Sequence, residues 1–138
     1  MSKKKYSCLA TNESDNNEKE DNKPLNKETL GVASWSLLHT IAVNYPENPT
    51  TEEQKTMRSF LMNFAEVYPC KECKDHFQKQ IKSHPPTLKS QTEFQEWICF
   101  QHNLVNRRLG KKLFNCHKNN YEKRWKSLEG CCKRPKIN

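Results

Sequence analysis

The chain has 138 residues, seven cysteines and a formal net charge of +8. No stretch approaches 18 consecutive apolar residues, so no membrane span is expected. The first residues carry a lysine cluster with neither an apolar run nor arginine, which argues against a secretory signal and against a matrix-type transit peptide.

Residues 1–28 hold six lysines and six acids and only one aromatic. Such a segment cannot bury enough apolar surface to offset its ordering entropy, so it is read as a disordered polar tail. The whole excess of positive charge then falls on residues 29–138. The folded part is expected over residues 29–127, followed by a flexible basic tail at 128–138. About 100 residues can enclose one modest core, and covalent staples help at that size.

The first helix is read from residues 30–46, where Trp35, Leu38, Ala42 and Tyr45 recur at helical spacing and Pro46 stops the run. Thr50 and Glu53 form a capping-box pattern that opens a second helix with Met57, Phe60, Leu61 and Phe64 along its stripe. Pro69 ends it and can start a third helix, over roughly 70–82, at its first turn. The Pro85-Pro86 pair in "SHPPTL" forbids helix. Ser90 and Glu93 repeat the capping pattern, and the fourth helix carries Phe94, Trp97, Ile98, His102, Val105 and Leu109 up to Gly110. A short last element covers "NNYEKRW" (119–125). No period-2 alternation is sustained. The expected fold is all-α: a four-helix bundle with a short fifth helix.

The chemistry begins with "YPCKECKDHF". Cys70 and Cys73 stand at a helix start, where unpaired N–H groups favour a thiolate. A lone C-x-x-C serves redox chemistry and zinc about equally well. A zinc reading would combine Cys70 and Cys73, with His76 on the same side of their helix, with Cys99 and His102; Cys-x2-Cys with Cys-x2-His is a plausible tetrahedral set. A bridge between Cys99 and Cys116 would pin the fifth segment onto the fourth helix and is worth about 3 kcal/mol for such a loop; two buried free thiols are the plainer alternative. Cys131 and Cys132 are adjacent in the basic tail, and Cys8 is alone in the polar one.

"CFQHNLVNRRLGK" places Cys99, His102, Asn103 and Asn106 on one helical face. Bundles do not turn His and two Asn inward without a hydrogen-bonding reason. Trp35 and His39 share a face of the first helix. With Lys111, Lys123 and Trp125 they could line a slot for a large planar anion: rings to stack, amides to hydrogen-bond, lysines to neutralise a phosphate. Beside a dithiol, that suggests a flavin nucleotide.

Taken together, "WSLLHTIAVNYP" (35–46), "FAEVYPCKEC" (64–73), "WICFQHNLVNRRLGK" (97–111), "LFNC" (113–116) and "KRW" (123–125) resemble the Erv/ALR family of FAD-linked sulfhydryl oxidases. The resemblance covers about residues 28–127. It implies a helical bundle holding FAD at its mouth, usually as a homodimer, that forms disulfides in client proteins and passes electrons through the flavin to oxygen or cytochrome c. It casts Cys73 as the cysteine next to the flavin, Cys70 as the one that exchanges with incoming dithiols, and Cys99–Cys116 as a structural disulfide. The implied cofactor contacts are Gly31, Trp35, His39, Tyr45, Cys73, His76, Cys99, His102, Asn103, Val105, Asn106, Leu109, Lys111, Lys123 and Trp125. No metal and no nucleic acid are expected.

Two features depart from the family pattern. Gly31 is followed by Val32, where many members carry a basic residue, so either one cofactor phosphate contact is missing or Lys111 and Lys123 compensate. Relatives usually carry a second dithiol on a tail; here Cys8 is single, which leaves Cys131 and Cys132 as the candidate shuttle. The resemblance points to the mitochondrial intermembrane space, with thiol-bearing clients or an oxidoreductase of that compartment as partners. Viral relatives work in the cytoplasm, which is the alternative.

Overall fold

The computed structural model describes residues 23–126, and all of its regular structure is helical. Five helices follow in order: α1 (Lys27–Val43), α2 (Thr51–Val67), α3 (Lys71–Ser83), α4 (Gln91–Arg108) and α5 (Lys118–Trp125). The expected all-α bundle with a short fifth helix is what forms. No helix among the described residues is long and apolar enough to cross a membrane. Cys8, Cys131, Cys132 and the rest of both expected tails lie outside the described residues, apart from the stretch from 23 onward.

The helix starts follow side-chain chemistry. Thr50 accepts from the Glu53 N–H at 3.1 Å while the Glu53 carboxylate accepts from the Thr50 N–H at 2.8 Å, a reciprocal box. Ser90 accepts from the Glu93 N–H at 3.1 Å and so caps α4, but the Glu93 carboxylate does not return a bond to the Ser90 N–H, so the expected box is half formed. Helix α1 begins earlier than expected, at Lys27, because Asn26 and Thr29 make a box of their own. It also ends earlier than Pro46. The Asn44 N–H closes the last turn onto Ala42 and Ile41, and the chain leaves the helix there. Gly110, with φ +68°, takes the left-handed position just past α4.

Helix α4 is the hub. It packs on α1 and on α5, while α2 packs on α3. The main core joins Leu38, Ala42 and Tyr45 of the first strip to Leu61 and Ala65 of α2, Ile81 of α3, and Phe94, Trp97 and Ile98 of α4. Full burial of side chains this large is worth about 1.5–3 kcal/mol each. The two polar tips in this core are satisfied by loop carbonyls: Tyr45 Oη donates to Leu88 O at 2.8 Å, and Trp97 Nε1 donates to His84 O at 2.9 Å. A second, smaller core of Val43, Cys99 and Tyr121, with Cys116 and Trp125 against it, docks α5.

Candidate functional site

Pro69 interrupts the chain between α2 and α3, and Cys70 becomes the N-cap of α3. Its sulfur accepts from the Cys73 N–H at 3.3 Å. Cys70 and Cys73 are joined in a disulfide with their Cα atoms 5.3 Å apart. The pair spans two surfaces. Cys70 lines a shallow outer groove with Leu25, Leu30 and Pro69. Cys73 lines an inner cavity, with His76 and Phe77 one turn further along α3. Between them, the exposed Glu72 carboxylate reaches Lys27 at 2.7 Å and Arg108 at 3.5 Å, so it ties the start of α1 to the end of α4 across α3.

The cavity has a volume of about 660 Å³. Helix α1 contributes Gly31, Trp35 and His39; α4 contributes Cys99, His102, Val105 and Asn106; Leu109 and Lys111 follow it; Trp125 closes the wall from α5. The rings are stacked in pairs. Trp35 lies on His102 at 4.4 Å between centroids and 6° between planes, and His39 lies on Trp125 at 4.2 Å and 10°. The two imidazoles are hydrogen-bonded to each other at 2.7 Å. Burial, then the neighbouring charges of His102 and Arg124, pushes His39 down to about 3. Burial and Lys111 push His102 down to about 4. Both rings are therefore neutral at pH 7. Burial, Arg108 and Lys79 lower His76 in the same direction.

Three expected contacts lie elsewhere. Tyr45 is buried in the main core, held by Leu88, and does not line the cavity. Asn103 turns to the loop after α4 instead, where it grips the backbone of Phe114. Lys123 is exposed and outside the lining; Arg124, also exposed, and the half-buried Trp125 border the cavity instead. The basic groups at the cavity are Lys27, Arg108, Lys111, Lys112 and Arg124. They supply the positive charge that Val32 does not, and four of the five were missed in the sequence. Arg124 carried a signal there, since it adjoins Trp125, and its guanidinium lies 4.0 Å from that ring's centroid. Tyr68 and Phe77 were also missed as lining residues.

Cys99 and Cys116 form a second disulfide, Cα atoms 5.8 Å apart, in the small core. The alternative of two free thiols is thereby corrected. So is the zinc set, since Cys99 is committed to Cys116 and no group of three metal-ligating side chains occurs among the described residues.

The Erv1 / Alr family model matches residues 32–126. The FAD-linked sulfhydryl oxidase ERV1 of Oryza sativa subsp. japonica is 44% identical over 113 residues, which cover 80% of this chain and 57% of that protein. The mitochondrial FAD-linked sulfhydryl oxidase ERV1 of Saccharomyces cerevisiae is 43% identical over 103 residues, covering 75% and 53%. The chain thus spans about half the length of these relatives. The crystal structure of the FAD binding domain of Erv1 from Saccharomyces cerevisiae superposes with a TM-score of 0.71 at 42% identity, covering 75% of this chain and 96% of that one. With the family model matched from α1 to α5 and the paired cysteines at the wall of the cavity, the chain belongs to the Erv1 / Alr family.

Proposed function

We propose that the protein is an FAD-dependent sulfhydryl oxidase that forms disulfides in client proteins. The observation that carries this reading is the placement of one disulfide across two surfaces, Cys70 on the outer groove and Cys73 on the cavity. The names of the relatives and the solved FAD binding domain support it.

The lining fits the cofactor. A volume of about 660 Å³ lies in the range of cofactor sites. Trp35, His39, His102 and Trp125 offer flat apolar faces for a ring system, and Arg108, Lys111, Lys112 and Arg124 offer charge for a pyrophosphate. These residues, with Gly31, Val105, Asn106 and Leu109, would hold FAD. When bound, FAD supplies a two-electron acceptor that thiols reduce and that oxygen or cytochrome c reoxidises.

The protein's own steps are thiol exchange. A client thiolate attacks Cys70 Sγ, the Cys70–Cys73 bond breaks, and a mixed disulfide forms between client and Cys70. Cys73 leaves as a thiolate against the cavity wall. The client's second thiol then attacks the mixed disulfide, giving the oxidised client and a Cys70 thiolate. The free N–H groups of the first turn of α3 favour the charge on both sulfurs, and the N–H of Cys73 already points at Cys70.

The relative from Saccharomyces cerevisiae is named mitochondrial. The reading places this protein in the intermembrane space, acting as a homodimer on thiol-bearing clients or an oxidoreductase there. Cys131 and Cys132 would pass disulfides from Cys70 to those clients. An absorbance spectrum of the purified protein tests the core of the reading. A flavin spectrum that bleaches with dithiol and recovers in air is expected. No chromophore after refolding with FAD would overturn it.

A further inference from the structure

Tyr121, His39 and His102 form one hydrogen-bonded chain from the small core to the cavity. Tyr121 Oη lies 2.7 Å from His39 Nδ1, and His39 Nε2 lies 2.7 Å from His102 Nδ1. Tyr121 and His39 are each 1% exposed, which leaves water little access to either bond. Stacking on Trp125 and Trp35 fixes the planes of both imidazoles.

A neutral imidazole has one proton for two nitrogens, so each ring donates at one and accepts at the other. The chain can therefore run in two senses only. In the first, the phenol donates to His39, His39 donates to His102, and His102 keeps its proton on Nε2. In the second, every bond is reversed, and the phenol proton has no acceptor among the described residues. A buried donor left without a partner is the costlier state. Burial holds the phenol protonated well beyond neutral pH and keeps both imidazoles uncharged. His102 Nε2 has no protein partner among the described residues. The buried side-chain atoms that lack partners there belong to Gln95 and Gln101, so Nε2 opens into the cavity that His102 lines.

We infer that Tyr121 is a positioning residue: acting through His39, it fixes His102 as a directed hydrogen-bond donor, whose Nε2–H selects a ligand edge that presents an acceptor. A ring nitrogen, a carbonyl oxygen or a phosphate oxygen meets that need; an amino group does not. The identity of the ligand rests on the FAD reading, whereas the proton positions belong to the chain itself.

The test is nitrogen-15 NMR of FAD-loaded protein at pH 7, with flavin occupancy read first by absorbance. Two-bond proton–nitrogen correlations report which nitrogen of each ring is protonated. Both His39 and His102 are expected to be protonated at Nε2. In Tyr121→Phe, both rings should become mixtures, and the FAD dissociation constant should rise by the inverse of the fraction left in the donating form, about twofold for an even mixture. A proton on Nδ1 of either ring in the unaltered protein overturns the inference, and this reading needs no variant to fold. So does a folded Tyr121→Phe protein in which both rings stay purely Nε2-protonated. Protein that binds no FAD but shows both expected tautomers supports the inference and sinks the FAD reading alone.

Discussion

Asn103 holds the peptide of Phe114 from both sides: its Nδ2 donates to the Phe114 carbonyl at 2.9 Å, and its Oδ1 accepts from the Phe114 N–H at 2.9 Å. The same amide nitrogen lies 3.3 Å from the Cys116 sulfur. An extended stretch with no ladder of its own thus borrows a strand-like pair of bonds from one side chain of α4. Asn103→Ala removes both bonds and leaves an exposed stretch of chain held only by water. The expected loss is about 1–2 kcal/mol, together with faster limited proteolysis between residues 110 and 117. Calorimetry and a proteolysis time course check this; an unchanged cleavage rate would contradict it.

The Cys99–Cys116 disulfide closes a loop with a sequence separation of 17. Its removal by a double Cys→Ala substitution should cost about 3 kcal/mol, mainly through the entropy of the unfolded chain. For a domain of this size that corresponds to a fall in Tm of roughly 10–20 °C. FAD should raise the Tm of both forms by mass action and leave the loss in stability itself unchanged.

Cys70 and Cys73 should behave differently from the structural pair. Serine is a good N-cap, so Cys70→Ser should keep α3 and leave Tm within a few degrees. Either Cys70→Ser or Cys73→Ser should lower dithiol-dependent oxygen consumption by about a thousandfold or more, since neither half of the exchange can proceed alone. Both variants should stay yellow. A variant that loses its flavin would mean that the cysteine holds the cofactor as well as reacting.

Stability should fall with acid in a defined window. His39 is held at about 3 and His102 at about 4, both below the ordinary value of 6.5. The unfolded chain therefore binds more protons than the folded one between these values. Stability is full above about pH 6.5 and declines as pH falls toward 4, with a slope near 1.4 kcal/mol per pH unit for each proton taken up on unfolding. Thermal melts from pH 7.5 to 4 should show it. His39→Gln should have a shallower slope than the unaltered protein.

The Cys131–Cys132 pair should matter only for large substrates. Replacing both with serine should leave oxidation of dithiothreitol within about twofold, and should slow oxidation of a reduced protein client by about tenfold or more. Equal losses on both substrates would remove the pair from the role of shuttle.

The helices were legible where their signals are local. Thr50 with Glu53, Ser90, and Gly110 each act within four residues, and each sits where its chemistry requires, although Glu93 does not return the bond to Ser90. Asn26 with Thr29 escaped notice because the reciprocal partner is a hydroxyl rather than the usual carboxylate. The lining of the cavity was half legible. Trp35, His39 and His102 stood out as unusual on inward faces, and the structure joins them. Tyr45 could not be told from a cavity residue, since its hydroxyl is claimed by Leu88, a loop carbonyl 43 positions away. Likewise the side of α5 that turns inward depends on how Tyr121 and Trp125 pack on α1 and α4, which no spacing within eight residues reveals.

Because its two sulfurs open onto different compartments of the protein surface, the Cys70–Cys73 bridge works as a bulkhead connector. On the proposed reading, a thiol that arrives at Leu25, Leu30 and Pro69 passes its electrons to the interior without crossing the wall. The outer face is thus free to change its choice of substrate while the inner room stays the same. An engineer can recut the socket outside by altering the residues around Cys70 and leave the wiring behind Cys73 alone.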